Sequence, residues 1–157
     1  MYCFTGKTSI MSKSRNFYSL ATEQTSKSIT NLDYSRILHQ LQKDVSEKDV
    51  DPGILHHLYL SLSCSRRYFA EEIPQDVVTM NSEIVLTINN NQTENIRIVY
   101  PGDVKNPGDV SVYSALGQAC LGCCEKTTIT YHDGFQNNTA LIEKIVFQPE
   151  REKQFHL

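Results

Sequence analysis

The sequence predicts an α+β chain, with an antiparallel sheet that holds one short helix, preceded by a short antiparallel helical hairpin. Three observations predict it. Apolar residues recur at helical spacing between residues 31 and 69, and they alternate at strand spacing from residue 84 onward. Clusters of Asn, Asp, Gly and Pro punctuate the alternating runs. Helices followed by strands, rather than interleaved with them, are the pattern of an α+β domain.

Residues 1–28 are rich in Ser, Thr and Lys and carry no sustained period. Lys7, Lys13, Arg15 and Lys27 outnumber Glu23 there, and a polar, weakly basic arm of this kind is expected to be disordered. A helical unit is expected over 29–72. Its first helix opens at Asn31 or Asp33, either of which can accept a hydrogen bond from an orphan amide. Tyr34, Ile37, Leu38, Leu41 and Val45 form one apolar stripe. Asp51-Pro52 restarts a second helix, with Asp as N-cap and Pro at the first helical position. Ile54, Leu55, Leu58, Leu62 and Phe69 carry its stripe. Two such helices of roughly 15–18 residues fold back on each other into an arm about 25 Å long.

The sheet region is expected over 73–157. Ile84 to Ile88 and Ile96 to Tyr100 alternate around the polar turn Asn89-Asn90-Asn91-Gln92, which reads as a β-hairpin. Gly102-Asp103 and Gly108-Asp109 around Pro107 mark a long loop, and Ser111-Val112-Tyr113 a short strand. A short helix follows, with Ser114 as N-cap and Gly122 as its stop. Thr127 to His132 and Leu141 to Phe147 are two further strands joined across Asp133-Gly134.

Composition narrows the function. The 157 residues are 39% hydrophobic, enough to bury a core, and the formal charge of −3 disfavours gripping bare phosphate backbones. No apolar run is long enough to span a membrane, and residues 1–20 lack the apolar stretch of a secretory signal, so a cytoplasmic location is expected. Cys3, Cys64, Cys120, Cys123 and Cys124 show no disulfide framework spacing. Cys120, Cys123 and Cys124 invite a zinc reading with His132 as the near partner; small buriable thiols on a helix end and strand start explain them better, and no metal or cofactor is expected.

Catalytic signatures for phosphate cradles, nucleophile elbows and zinc helices do not occur. His56 and His57 are adjacent on a helix and point about 100° apart, so one is expected at an interface and the other in water. Asp44, Glu47, Asp49 and Asp51 put four carboxylates at the hairpin tip, where they could help hold Mg²⁺. Asp51 is accounted for as a cap, and Lys43 and Lys48 neutralise the solvated turn.

The stretch from Glu71 to Glu150 carries a resemblance. Its residues are Asp76-Val77-Val78-Thr79-Met80-Asn81-Ser82, Val99-Tyr100-Pro101, Ser114-Ala115-Leu116-Gly117-Gln118-Ala119-Cys120-Leu121-Gly122 and Phe147-Gln148-Pro149-Glu150. It resembles the GreA/GreB C-terminal domain family, in the branch of the regulator of nucleoside diphosphate kinase. Two positions depart from that pattern. Ala115 stands where Pro is usual, and Lys126-Thr127 stands where Gly-Asp closes a turn, which puts that turn's geometry in question because Lys disfavours positive φ.

The resemblance implies an FKBP-like sheet and a non-enzymatic regulator that binds bacterial RNA polymerase near its secondary channel. It implies competition with Gre factors and a link to nucleoside diphosphate kinase. The docking surface expected on this basis is Ser111, Val112, Tyr113, Ser114, Ala115, Leu116 and Gly117. Gre factors reach the catalytic centre with a long acidic-tipped coiled coil, whereas an arm of about 25 Å leaves Glu47 and Asp49 outside it. The alternatives are a short-armed transcript-cleavage factor using Glu47 and Asp49, or an unrelated FKBP-like binding module.

Overall fold

The computed structural model describes residues 26–47 and 50–157. The expected disordered arm lies outside the described residues, except for its last three. Of these, Lys27 and Ser28 are packed against the sheet region, so the arm's boundary at residue 28 falls inside an ordered segment. No helix among the described residues is long and apolar enough to cross a membrane.

The chain opens with β1 (Ser28–Thr30), α1 (Asn31–Glu47), α2 (Pro52–Ser63) and β2 (Arg66–Tyr68). Thr30, not Asn31 or Asp33, caps α1: its Oγ1 accepts the Asp33 N–H at 2.9 Å. Asp51 caps α2 as expected, its carboxylate accepting from Gly53 N at 2.7 Å, with Pro52 behind it. Leu55, Leu58 and Leu62 bury the expected stripe, but α2 ends at Ser63 and leaves Phe69 beyond it, 64% exposed. β1 and β2 form a parallel pair that ties the start of α1 to the end of α2. Three-residue strands 38 positions apart leave no periodic trace, so sequence reading missed them.

The sheet region holds β3 (Glu83–Ile88), β4 (Gln92–Val99), a 3₁₀ turn (Pro101–Asp103), β5 (Asp109–Ser111), α3 (Ala115–Cys120), β6 (Thr128–His132) and β7 (Asn137–Phe147). The sheet order is β5-β4-β3-β7-β6. All neighbours are antiparallel except β4 and β5, which run parallel. The expected strand at Ser111-Val112-Tyr113 ends at Ser111, because Val112 and Tyr113 turn inward toward α3. The β3–β4 connection takes positive φ at both Asn89 and Asn90, with Asn91 N bonding Ile88 O, a turn whose twist matches the strands. Lys126 does adopt a left-handed φ of 62°, facing Ile142 across a bulge, so the departure from Gly there is strained rather than rebuilt.

The helical hairpin is not a projecting arm. Ile37 and Leu41 of α1 and Leu55, Leu58 and Leu62 of α2 share one hydrophobic core with Ile84, Leu86, Ile98, Val112 and Ile142. Both ends of α1 are fastened to the sheet region, by Asp33 at its first turn and Asp44 near its last. An apolar stripe needs a surface to cover it, and here the sheet region and the companion helix cover it together.

Candidate functional site

The site is built where α1 and α2 meet the sheet. In the loop between β5 and α3, the Ser111 Oγ accepts from Tyr113 N at 3.1 Å. The Ser114 hydroxyl donates to Ser111 O at 2.7 Å and accepts from Gly117 N at 3.0 Å. A Cβ on Gly117 would lie 2.2 Å from the Ser111 carbonyl oxygen, so only glycine lets the helix start sit against β5. Gln118, 7% exposed, bridges to α2: its Oε1 meets His57 Nδ1 at 2.7 Å and its Nε2 reaches Ile54 O at 3.4 Å. His57 therefore reaches the interface through this bond, although both His56 and His57 are exposed.

The structure sorts the seven expected docking residues into two groups. Val112, Tyr113 and Gly117 are buried and frame the loop. Ala115 is exposed, and Ser111, Ser114 and Leu116 are half-buried, so these four form the accessible edge. The Tyr113 hydroxyl donates to Asp44 Oδ2 at 2.5 Å, and burial together with that carboxylate pushes its pKa up. Asp44 also accepts from Gln40 Nε2 at 2.8 Å. Of the four tip carboxylates, Asp44 is thus turned inward and Asp51 is a cap. Glu47 ends α1 with its side chain outside the described residues, and Asp49 lies wholly outside them.

A second cluster, centred on Asp33, escaped sequence reading. Its side chain is 3% exposed; Oδ2 accepts from Met80 N at 3.2 Å and Oδ1 from the Tyr100 hydroxyl at 3.3 Å. Burial raises the Asp33 carboxyl above its ordinary pKa, partly offset by those hydrogen bonds and by Arg36 one turn on. Glu150, accepting from Thr79 Oγ1 at 2.6 Å, is raised by the same cause. Gln148 is fully buried, its Nε2 donating to Pro74 O at 3.0 Å and Val77 O at 2.8 Å. Met80, Tyr100, Gln148 and Glu150 all belong to the runs that carried the resemblance, and Met80, Tyr100 and Glu150 converge on this joint. The signal available in the sequence was Thr30-Asn31-Leu32-Asp33, a capping pattern that places an acid in the first turn of α1. Beside the joint, Ser35, Arg36, His39, Gln40, Tyr100, Gly102 and Asp103 line a shallow groove of about 480 Å³.

The cysteine cluster has a structural explanation. Cys120 and Cys123 are buried and Cys124 is exposed. Lys27 reaches the end of α3, where its Nζ donates to Gln118 O at 2.5 Å and Ala119 O at 3.3 Å. Burial lowers the Lys27 pKa and raises those of both buried thiols, so the thiols stay protonated. Gly122, at φ +81°, accepts from Ser28 N at 2.9 Å, and a Cβ there would lie 2.9 Å from the Ser28 carbonyl oxygen. His132 instead accepts from Gly134 N at the far end of β6. Among the described residues no three His, Cys, Asp or Glu side chains converge as a metal site.

No family model and no curated protein matches the sequence. Solved structures do. The chain is similar to the prokaryotic transcription elongation factor GreA/GreB from Nitrosomonas europaea, at 26% identity and a TM-score of 0.64, over 78% of this chain and all of that one. It also matches GreA factor homolog 1 of Thermus thermophilus, at 17% identity and a TM-score of 0.41, over 78% of this chain and 99% of that one. The first likeness agrees with the α+β fold and with the GreA/GreB C-terminal domain architecture.

Proposed function

We propose that this chain is an RNA polymerase-associated transcription regulator of the Gre-like kind that occupies the rim of the secondary channel without promoting transcript cleavage. The observation that carries the reading is the structural likeness to the Nitrosomonas europaea elongation factor, which spans that whole chain. The regulator of nucleoside diphosphate kinase is the branch the sequence resembles. A link to that kinase and competition with Gre factors are part of this proposal, as is a non-enzymatic, cytoplasmic role.

The docking edge is Ser111, Ser114, Ala115 and Leu116, held rigid by Gly117 and by the Ser114 hydroxyl. A loop pinned from both sides loses little conformational freedom on binding, which favours association. Val112 and Tyr113 act beneath it, in the core and on Asp44. The reach of the hairpin supports a role without cleavage. At 1.5 Å per residue the 17 residues of α1 span about 25 Å, and both ends of that length lie on the sheet region. Little of the described hairpin is left to project, which favours a docked chain that does not deliver its tip carboxylates to the catalytic centre.

Retention of core RNA polymerase on the immobilised chain, with and without a Gre factor as competitor, tests the reading. Transcript cleavage in a stalled complex separates it from the short-armed cleavage factor. No retention would favour the FKBP-like binding module.

A further inference from the structure

The two edges of the five-stranded sheet differ. β5 offers three residues, flanked by the Arg97–Asp109 ion pair at 2.9 Å and by Lys105, charges that discourage strand addition. β6 reads Thr128-Ile129-Thr130-Tyr131-His132, with no Lys, Arg, Asp, Glu or Pro. Asp133 N donates to Gln136 O at one end of the β6–β7 ladder, and Ile142 N donates to Thr127 O at the other. Both fix the same alternation, so 129 with 140 and 131 with 138 are the hydrogen-bonded pairs. The N–H and C=O groups of Thr128, Thr130 and His132 therefore point away from β7, and no loop or helix backbone among the described residues bonds them. The side chains of all three are exposed, while Ile129 is buried on the opposite face.

We infer that the β6 edge pairs antiparallel with the β6 edge of a second copy of this chain, about a twofold axis through Thr130. In that register Thr130 faces Thr130 and Thr128 faces His132, and every outward group of the three residues finds a partner. A twofold contact must be self-complementary, and this one matches uncharged side chains along the ladder. At each end it brings Asp133 within one residue of Lys126 of the second copy, a largely exposed cation whose contact to Glu143 of its own chain, at 3.3 Å, is a weak surface pair that leaves it able to meet Asp133. Asp133 is held in place by Phe135 N and Gln136 N, both at 2.9 Å, and by Asn138 Nδ2 at 2.8 Å, so its charge sits at a fixed position. Opposite charges at both ends are what single out a second copy over an unrelated strand. Three outward residues per copy make a small interface, with a dissociation constant on the order of 100 μM.

Sedimentation of the full chain under reducing conditions, which keep the exposed Cys64 and Cys124 from cross-linking, tests this from about 10 μM to about 1 mM. The wild type should move from monomer to dimer across that range. Thr130→Pro removes an outward N–H, and Thr130→Lys sets two like charges face to face; both variants should stay monomeric with native circular dichroism. Amide exchange at Thr128 and Thr130 should slow as the wild-type concentration rises. A wild type monomeric throughout would overturn the inference. So would a dimer that Thr130→Lys leaves intact, or exchange at these amides that ignores concentration.

Discussion

The two ends of the sheet are held by different physics. At the helical end, groups far apart in sequence close on one another: Asp33 on Met80 and Tyr100, Asp44 on Tyr113, and His57 on Gln118. Apolar burial does most of the work there, and Asp33 is buried against its own preference for water. At the opposite end, the β3–β4 and β6–β7 turns are knitted by short polar side chains. Asn138, 4% exposed, donates to Asp133 and accepts from Asn89 and Gln136, while Asn89 in turn accepts from Thr139 N. Phe135 projects from that end 96% exposed. One end is specified by packing and the other by turn chemistry.

The largest effect that would sharpen this contrast is Leu58→Ala. Leu58 is 1% exposed in the core shared by the hairpin and the sheet, and its truncation should lower stability by about 2–5 kcal/mol. Unfolding should remain a single transition in denaturant, because the two parts share that core. A separate early transition for the helices would break the comparison. Next comes Gly117→Ala, which pushes a methyl group into the Ser111 carbonyl and should cost about 1–3 kcal/mol as backbone shifts to make room. Thermal melts of that variant read it directly.

The two ends also titrate in opposite senses. Burial raises the Asp33 carboxyl, so its contribution to stability is fully present below the usual carboxylate pKa and is lost as pH rises through its folded value. Asp133 is lowered by the Gln136 and Phe135 N–H groups; its contribution is present above the usual pKa and is lost as pH falls through its folded value. Asp33→Asn should therefore flatten the decline in stability from acid toward neutral pH, leaving the part due to Glu150, and should not destabilise the chain at pH 7. Asp133→Asn should flatten the acid-side loss instead. Melting temperature against pH for the two variants checks both signs. The smallest effect is at Phe135: its replacement by Ser should change stability by less than about 0.5 kcal/mol, because almost none of the side chain is buried. A cost comparable to that of Leu58→Ala would mean the turn end is packed after all.

The same division explains what the sequence made legible. Turn chemistry is local, so Asn89-Asn90 and Asp133-Gly134 announced both hairpins, and Asp51-Pro52 the start of α2. The buried members of the helical stripes were readable because periodicity reports a face. What that face packs against is not periodic. The sheet region as well as the companion helix covers α1, and an arm that looked free to project lies down. The β1–β2 pair, the docking of Lys27 under α3 and the burial of Asp33 depend on contacts spanning tens of residues, and each involves a residue type that reads as surface. The docking segment was legible as a loop and helix start. Which of its residues face outward was not, because Val112 and Tyr113 are buried by the helical end that folds over them.

In the proposed function, the exposed edge beside Gly117 docks this chain on RNA polymerase without delivering carboxylates to the catalytic centre. Binding of core polymerase to immobilised wild type, to Ala115→Arg and to the Glu47→Ala, Asp49→Ala double variant tests it most directly, with transcript cleavage followed in the same complexes. Wild type and the double variant should bind alike and be displaced by a Gre factor, and neither should stimulate cleavage. Ala115→Arg should lose binding while keeping the native melting temperature. Cleavage stimulated by the wild type and lost in the double variant, or full binding by Ala115→Arg, would contradict the claim.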